Sequence, residues 1–452
     1  MNVERRKAAE IDNKLTSLNA ELAYWRKQAG PDGPLEKHHT QVEAVAGELA
    51  VPIARLRERL AGMRDADLLA AGTSIENQIL DLHRIWDLVR SKLALRYVAH
   101  FSSFLAAADE LAYRCYERAE ALGAPREPAL LYFGDERSPI MRPRRSRLAA
   151  PGANGSADPV GEAVQRLPMP LIGVPWFQVA HLPDAPAVAH EVGHGVEVDL
   201  GLADNVAALI ELALLAARAP AEHARGWREW RAEVFADVFG TLALGPAFSA
   251  TLVSFLATRP RDVAAQFQCD RMWKSHPPST LRVLLSAATL ESIGLADEGA
   301  RLRDAWSAAY PTHAMEEFER EVPVVAAAIV GGPYKALGGG PLTALVDFPG
   351  ESYERARRDA ERVPRAFEPD GADARELIAA ARFAFDANPA GYRAGGVAER
   401  ILEKIRWQRE RGVGTRASTK TTVGADVRAA RAEERGRWLA DHLAGAHAQD
   451  VG

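Results

Sequence analysis

The stretch DAPAVAHEVGHGVEVD, residues 184–199, decides how the rest of the chain is read. Its centre, HEVGH, holds His190, Glu191 and His194. In an α-helix, positions i and i+4 lie on one face, stacked along the axis. Two imidazoles placed that way can grip one metal ion. Glu191 is one residue on, about 100° round the helix. Its carboxylate therefore falls beside a water on the metal rather than on the metal itself. Two neutral nitrogen ligands suit zinc acting as a Lewis acid. With 12 histidines in 452 residues, chance produces such a motif about once in 40 chains. The other use of the same residues is a helix whose two histidines cap or pack.

Zinc needs a third protein ligand. Downstream lies GWREWRAEVFADVFGTLAL, residues 226–244, where Glu233 and Asp237 are again i and i+4. Val234, Phe235, Val238 and Phe239 supply the buried face of that helix. Returning antiparallel to the first helix, it can aim Glu233 at the ion. Asp237, one turn on, can accept the second ring N–H of a ligand histidine and fix its tautomer. The bland alternative is a helix with two solvated acids.

HEVGH followed by EVFAD resembles the gluzincin metallopeptidases, with the HExxH…ExxAD pattern of the CAAX prenyl endopeptidase and membrane stress-protease family. A further match is SHPPSTLRV at 275–283, where His276, Pro277 and Arg282 keep that family's His-Pro…Arg spacing. The resemblance spans roughly residues 186–290. It implies a zincin-like core with zinc on His190, His194 and Glu233. It also implies His276 at the catalytic cleft, where it can assist an oxyanion, with Asp237 and Arg282 behind the ligands. The family's transmembrane helices have no counterpart here, so a membrane location and prenylated substrates are not carried over.

The function expected is zinc-dependent hydrolysis of peptide bonds by an endopeptidase, with Glu191 as the general base for a zinc-activated water. The alternative is a non-enzymatic helical interaction protein with a structural or vestigial zinc site. An intact Glu191, and three protein ligands rather than four, favour the enzyme. Tyr310 and Tyr334 are weaker oxyanion candidates than His276, whose other use is to start the helix carrying Arg282. EHARGW reads His223 onto a helix surface, and HLPD reads His181 as a turn residue.

Outward from the motif, LLYF at 130–133 and PLIGVPWFQV at 170–179 are strand candidates. In zincins the strand before the motif helix forms the upper edge of the cleft, where an extended substrate can pair with it. Pro168, Pro170 and Pro175 lack N–H groups, which fits an edge strand. Between the two candidates runs a loop with Arg137, Arg142, Arg144, Arg145 and Arg147. It is either a solvated basic loop or a site for anionic substrate. No aromatics interleave these arginines, so a nucleic-acid partner is not expected.

Residues 3–122 read as helical. Ile11, Leu15, Leu18, Leu22 and Trp25 form an a/d seam, GPDGP at 30–34 interrupts it, and Val42, Val45, Leu49, Ile53, Leu56, Leu60 and Met63 resume it. Thr73 and Glu76 form a capping box before a long helix to about Leu122. The seam can dimerise, dock a partner protein or fold on itself. After Pro186, helices are expected near 186–198, 203–218, 221–243, 247–257, 278–293, 297–309 and 314–330. Two or three more follow in 351–410, and a last one in 426–445. GGPYKALGGGP at 331–341 follows no strand and lacks GK[ST], so it is read as a surface loop.

The expectation is a mainly α protein. A zincin-like α+β core with a small sheet is flanked by an N-terminal helical bundle and C-terminal helices. The segments are 1–122, 123–310, 311–411 and a linker with a last helix at 412–452. Composition agrees with a globular chain: 47% hydrophobic, 26% charged and a net charge of −5, which excludes a disordered chain or a basic nucleic-acid coat. Two cysteines, Cys115 and Cys269, exclude a disulfide framework. No stretch reaches the roughly 18 apolar residues of a membrane helix, and MNVERRKAAEIDNKL is no signal peptide. The expected location is the cytoplasm, with a peptide or protein as substrate.

Overall fold

The computed structural model describes residues 3–31, 33–125, 127–142, 159–164, 166–266, 276–311, 315–411 and 425–448. Arg144, Arg145, Arg147, Cys269 and most of the expected linker lie outside them. The chain is mainly α-helical, with 19 α-helices and one three-stranded sheet among the described residues. No helix among them is long and apolar enough to cross a membrane. Contacts divide the chain into two compact units.

The first unit combines residues 1–97, 144–170 and 416–452. Its long helices are Val3–Gln28, His39–Ala61, Asp65–Ala94 and Ala425–Ala446. The expected seam, Ile11 through Trp25, is buried within the unit. Each of its leucines contributes about 1.5–3 kcal/mol by leaving water. Thr73 does not start a helix. The Asp65–Ala94 helix runs straight through it, because Leu68, Ala71, Ile75 and Ile79 continue one buried stripe on both sides. Asp65 and Asp67 fill the first turn instead, where carboxylates meet the positive end of the helix dipole. Glu76 pairs with Lys7 and Lys14 of the first helix. Nor does that helix reach Leu122. Leu95–Tyr97 tightens into a 3-10 turn, Val98 turns extended, and a separate helix, Ala99–Ala121, belongs to the second unit.

The last helix closes the first unit. Its Arg435 and Asp441 pair with Glu48 and Arg55 of His39–Ala61. Gly436 makes the approach possible: a Cβ there would stand 2.6 Å from the Glu48 carbonyl oxygen.

The second unit, residues 98–143 and 171–415, carries the sheet. Its strands are β1 (Leu130–Gly134), β2 (Ile140–Arg142) and β3 (Leu171–Pro175), in the order β1-β3-β2. β3 is thus the central strand, parallel to β1 with Leu130 opposite Leu171, and antiparallel to β2 with Met141 opposite Ile172. The expectation of β3 as an edge fails for a simple reason. Pro168 and Pro170 precede the strand and Pro175 ends it, so no proline interrupts the ladder. The edge beside β3 is β2, cut from the segment read as a basic loop. Beyond Pro175 the chain turns into a 3-10 helix, Trp176–Ala180.

Most helices that follow keep their expected places, but Pro260–Ala265 was not expected, and the last stretch before the linker holds four helices rather than two or three, Gly350–Arg362, Ala374–Ala387, Pro389–Ala394 and Val397–Glu410. The stretch expected as one helix at 221–243 breaks at Trp230 into Ala221–Glu229 and Arg231–Leu244. The Gly-rich run at 331–341 is a loop around a 3-10 turn, anchored by buried Tyr334.

Candidate metal centre

HEVGH occupies the middle of the helix Ala187–Asp199, the motif helix below. Its inner face packs on Arg231–Leu244, the carboxylate helix, whose Val234, Phe235, Val238 and Phe239 are fully buried. Gly193 sets how close the two helices come. A Cβ at Gly193 would stand 3.2 Å from the Ala236 Cα and 3.1 Å from the Phe239 Cβ.

That approach brings Glu233 to both histidines. His190 Nε2 lies 3.3 Å from Glu233 Oε2, and His194 Nε2 lies 3.5 Å from Glu233 Oε1. The two Nε2 atoms are 3.2 Å apart. Among the described residues these three side chains form the group that could hold a metal ion. A tetrahedral ion with bonds of about 2.0–2.1 Å spaces its ligand atoms about 3.3–3.4 Å apart. The two imidazole nitrogens and the carboxylate therefore stand at separations near those of shared metal ligands, although each nitrogen faces a different oxygen of Glu233.

Behind them, Asp237 is completely buried, with Oδ1 3.0 Å from His190 Nδ1. The helix Ser279–Ser292, the arginine helix below, supplies Arg282, which donates to both oxygens of Asp237 at 2.7 and 2.8 Å. Arg282 also approaches Glu233, at 3.6 Å. Phe248 stacks parallel to the His190 ring, 6.4 Å between centroids. His276 Nε2 reaches within 3.4 Å of Glu233 Oε1, on the exposed side of the cluster. Thr241, Ser249 and Ser286 add a buried hydroxyl chain that ties three helices behind the site.

Electrostatics follow this geometry. Burial opposes charge on His190, but Asp237 and Glu233 outweigh it and push the imidazole up to about 10. Burial would raise Glu233, yet the two imidazoles hold it well below the usual carboxylate range. Burial likewise acts against Asp237, and Arg282 keeps it low. Glu191 is raised, chiefly by burial, with the imidazoles pulling the other way. Such a donor set takes protons or a metal cation, one in competition with the other.

The expected site residues thus come together: His190, His194 and Glu233 at the centre, Glu191 and His276 beside them, Asp237 and Arg282 behind. The weaker candidates do not. The Tyr310 hydroxyl is committed to the Thr258 backbone and the Tyr334 hydroxyl to the Ile329 carbonyl. His181 sits in a turn beside Asp184, as expected. His223 is not on a helix surface. It is buried, with Nδ1 2.7 Å from Glu321 and its ring stacked on Phe318, because Trp227 and Glu321 fold a second polar cluster around it.

Two contributors were not visible in the sequence. The backbone N–H of Met141, on β2, donates to the Glu191 carboxylate, and the Met141 side chain lies over Gly195, where a Cβ would come within 2.8 Å of its methyl. Arg231 donates to buried Glu197 at 2.8 Å, tying the carboxylate helix to the motif helix two residues before Glu233. Neither lies at a spacing that any metal-site pattern specifies.

Comparison with family models, with curated proteins and with solved structures finds no match.

Proposed function

We propose that the chain is a zinc-dependent endopeptidase of the cytoplasm. The observation that carries the reading is the convergence of His190 Nε2, His194 Nε2 and the Glu233 carboxylate, one oxygen 3.3 Å from His190 and the other 3.5 Å from His194, with Glu191 beside them. Zinc held by these three residues would supply Lewis acidity, easing the ionisation of water and polarising a peptide carbonyl.

The remaining steps belong to side chains and backbone of this protein. Glu191 takes the proton from the attacking water and returns it to the leaving amine. The Met141 N–H keeps that carboxylate turned toward the cluster. Asp237 holds the Nδ1 side of His190, and Arg282 anchors Asp237, so the ring presents Nε2 without rotating. His276, at the exposed rim, is placed to donate to the oxyanion that develops on the carbonyl. The substrate is an extended peptide lying alongside β2, whose outer side no strand flanks among the described residues.

Glu191→Gln is the decisive variant. It should retain one zinc per chain, read by elemental analysis, while casein hydrolysis disappears. Undiminished hydrolysis in that variant would refute the mechanism, and zinc without hydrolysis in the unsubstituted protein would mark a structural site. Glu233→Ala should lose most of the metal affinity in a chelator competition. Glu222→Ala and Glu229→Ala, on the preceding helix Ala221–Glu229, should not, and equal loss in all three would indicate general damage to the fold.

A further inference from the structure

The edge strand next to Glu191 has a side-chain pattern of its own. β2 pairs with β3 on one side, and no strand flanks its other side among the described residues. Its burial alternates: Ile140 is 42% exposed, Met141 is buried and Arg142 is exposed. Met141 turns inward onto the motif helix, so Ile140 and Arg142 share the opposite face, two residues apart. No carboxylate among the described residues pairs with Arg142. Its guanidinium instead hydrogen-bonds the hydroxyl of Tyr132, which reaches over from β1. Gly173 makes that crossing possible, since a Cβ there would stand 3.0 Å from the Tyr132 oxygen. Asp135 and Glu136 also act on that hydroxyl, from the end of β1.

A chain laid along β2 has side chains facing the strand with the same period of two. Directly opposite positions come within about 4.5–5.5 Å. The Met141 N–H, bound to Glu191, puts the reacting position beside Met141. Ile140 and Arg142 then flank it. We propose that β2 selects peptides carrying an acidic side chain and, two residues away, an apolar one, read by Arg142 and Ile140 respectively. This names the substrate class of the peptidase proposed above and rests on that reading.

The test uses fluorescein-labelled nonapeptides of alanine with one Leu and, two residues from it, Glu, Gln or Lys. Binding is measured by anisotropy on the zinc-loaded, full-length Glu191→Gln protein, which holds peptides without cutting them. The Glu peptide should bind roughly tenfold more tightly than the Lys peptide, from one weak ion pair gained and one like-charge contact avoided. Arg142→Glu in the same background should reverse the order. Equal affinities for the Glu and Lys peptides, or an order that Arg142→Glu leaves in place, overturns the proposal. Cleavage of the same peptides by the unsubstituted zinc-loaded protein is a separate readout. Its failure alone would sink the peptidase and leave the selective edge standing.

Discussion

Asp237 has no exposed surface, yet it stays ionised because Arg282 meets it through two nitrogens of a fork, with His190 Nδ1 3.0 Å away. A buried carboxylate is costly unless its lone pairs are met in this way. Glu48, in the first unit, is the contrasting case. It is also buried, but its partner Arg435 offers it a single nitrogen, at 2.9 Å. There burial wins and lifts the carboxyl to about 7. The folded pKa lies above the ordinary carboxylate value, so the folded state binds the proton more tightly than the unfolded chain does. Stability from this group is present below about pH 4.5 and is lost as pH rises through about 7. Relative to Glu48→Gln, the unsubstituted protein should therefore lose stability between pH 5 and pH 8. Urea unfolding of both proteins at the two pH values checks this, and a constant difference contradicts it.

At the scale of elements, the site depends on two helices approaching unusually closely. Gly193→Ala adds a methyl that the Ala236 backbone cannot easily yield to. Overpacking of this kind costs about 1–3 kcal/mol. It should lower the melting temperature and weaken zinc binding together, because Glu233 moves with its helix. A melting curve and a zinc competition on the same sample measure both. The two ligand helices were legible in the sequence, since a period of 3.6 written in His190, His194, Glu233 and Asp237 fixes their faces without tertiary information. Their partner β2 was not. Three residues between Pro139 and Pro143 offer no periodicity to read, and the strand exists only because β3, thirty residues later, provides its ladder. Thr73 misled for the opposite reason. A local capping pattern was present, but a continuous buried stripe on both sides of it decided the helix.

At the scale of the molecule, each unit is assembled from separated stretches of chain, and the segments expected in sequence order do not map onto the units one by one. Helix Ala99–Ala121 joins the metal-centre unit, where its Tyr116 donates to Asp199 at 2.7 Å. Helix Ala425–Ala446 returns to the first unit. Sequence periodicity identified both helices but carried no signal for these long-range partners, which are made by pairs far apart in the chain, such as Arg435 with Glu48, Asp441 with Arg55 and Gly436 against Val51. Ending the chain after Gly424 should raise hydrogen exchange across 39–61, while 187–199 and 231–244 keep their protection and zinc binding persists. Equal loss in both units would show that they do not fold separately.

The interleaving has a consequence during synthesis. The helices through Ala94 leave the ribosome well before Ala425–Ala446, the helix that covers Val51. At about 5–20 residues per second, the interval is on the order of tens of seconds. Through that time the flank of His39–Ala61 that Ala425–Ala446 packs against stays uncovered by that helix. The helices Ala187–Asp199 and Arg231–Leu244, by contrast, lie close together in the chain and meet each other soon after they are made.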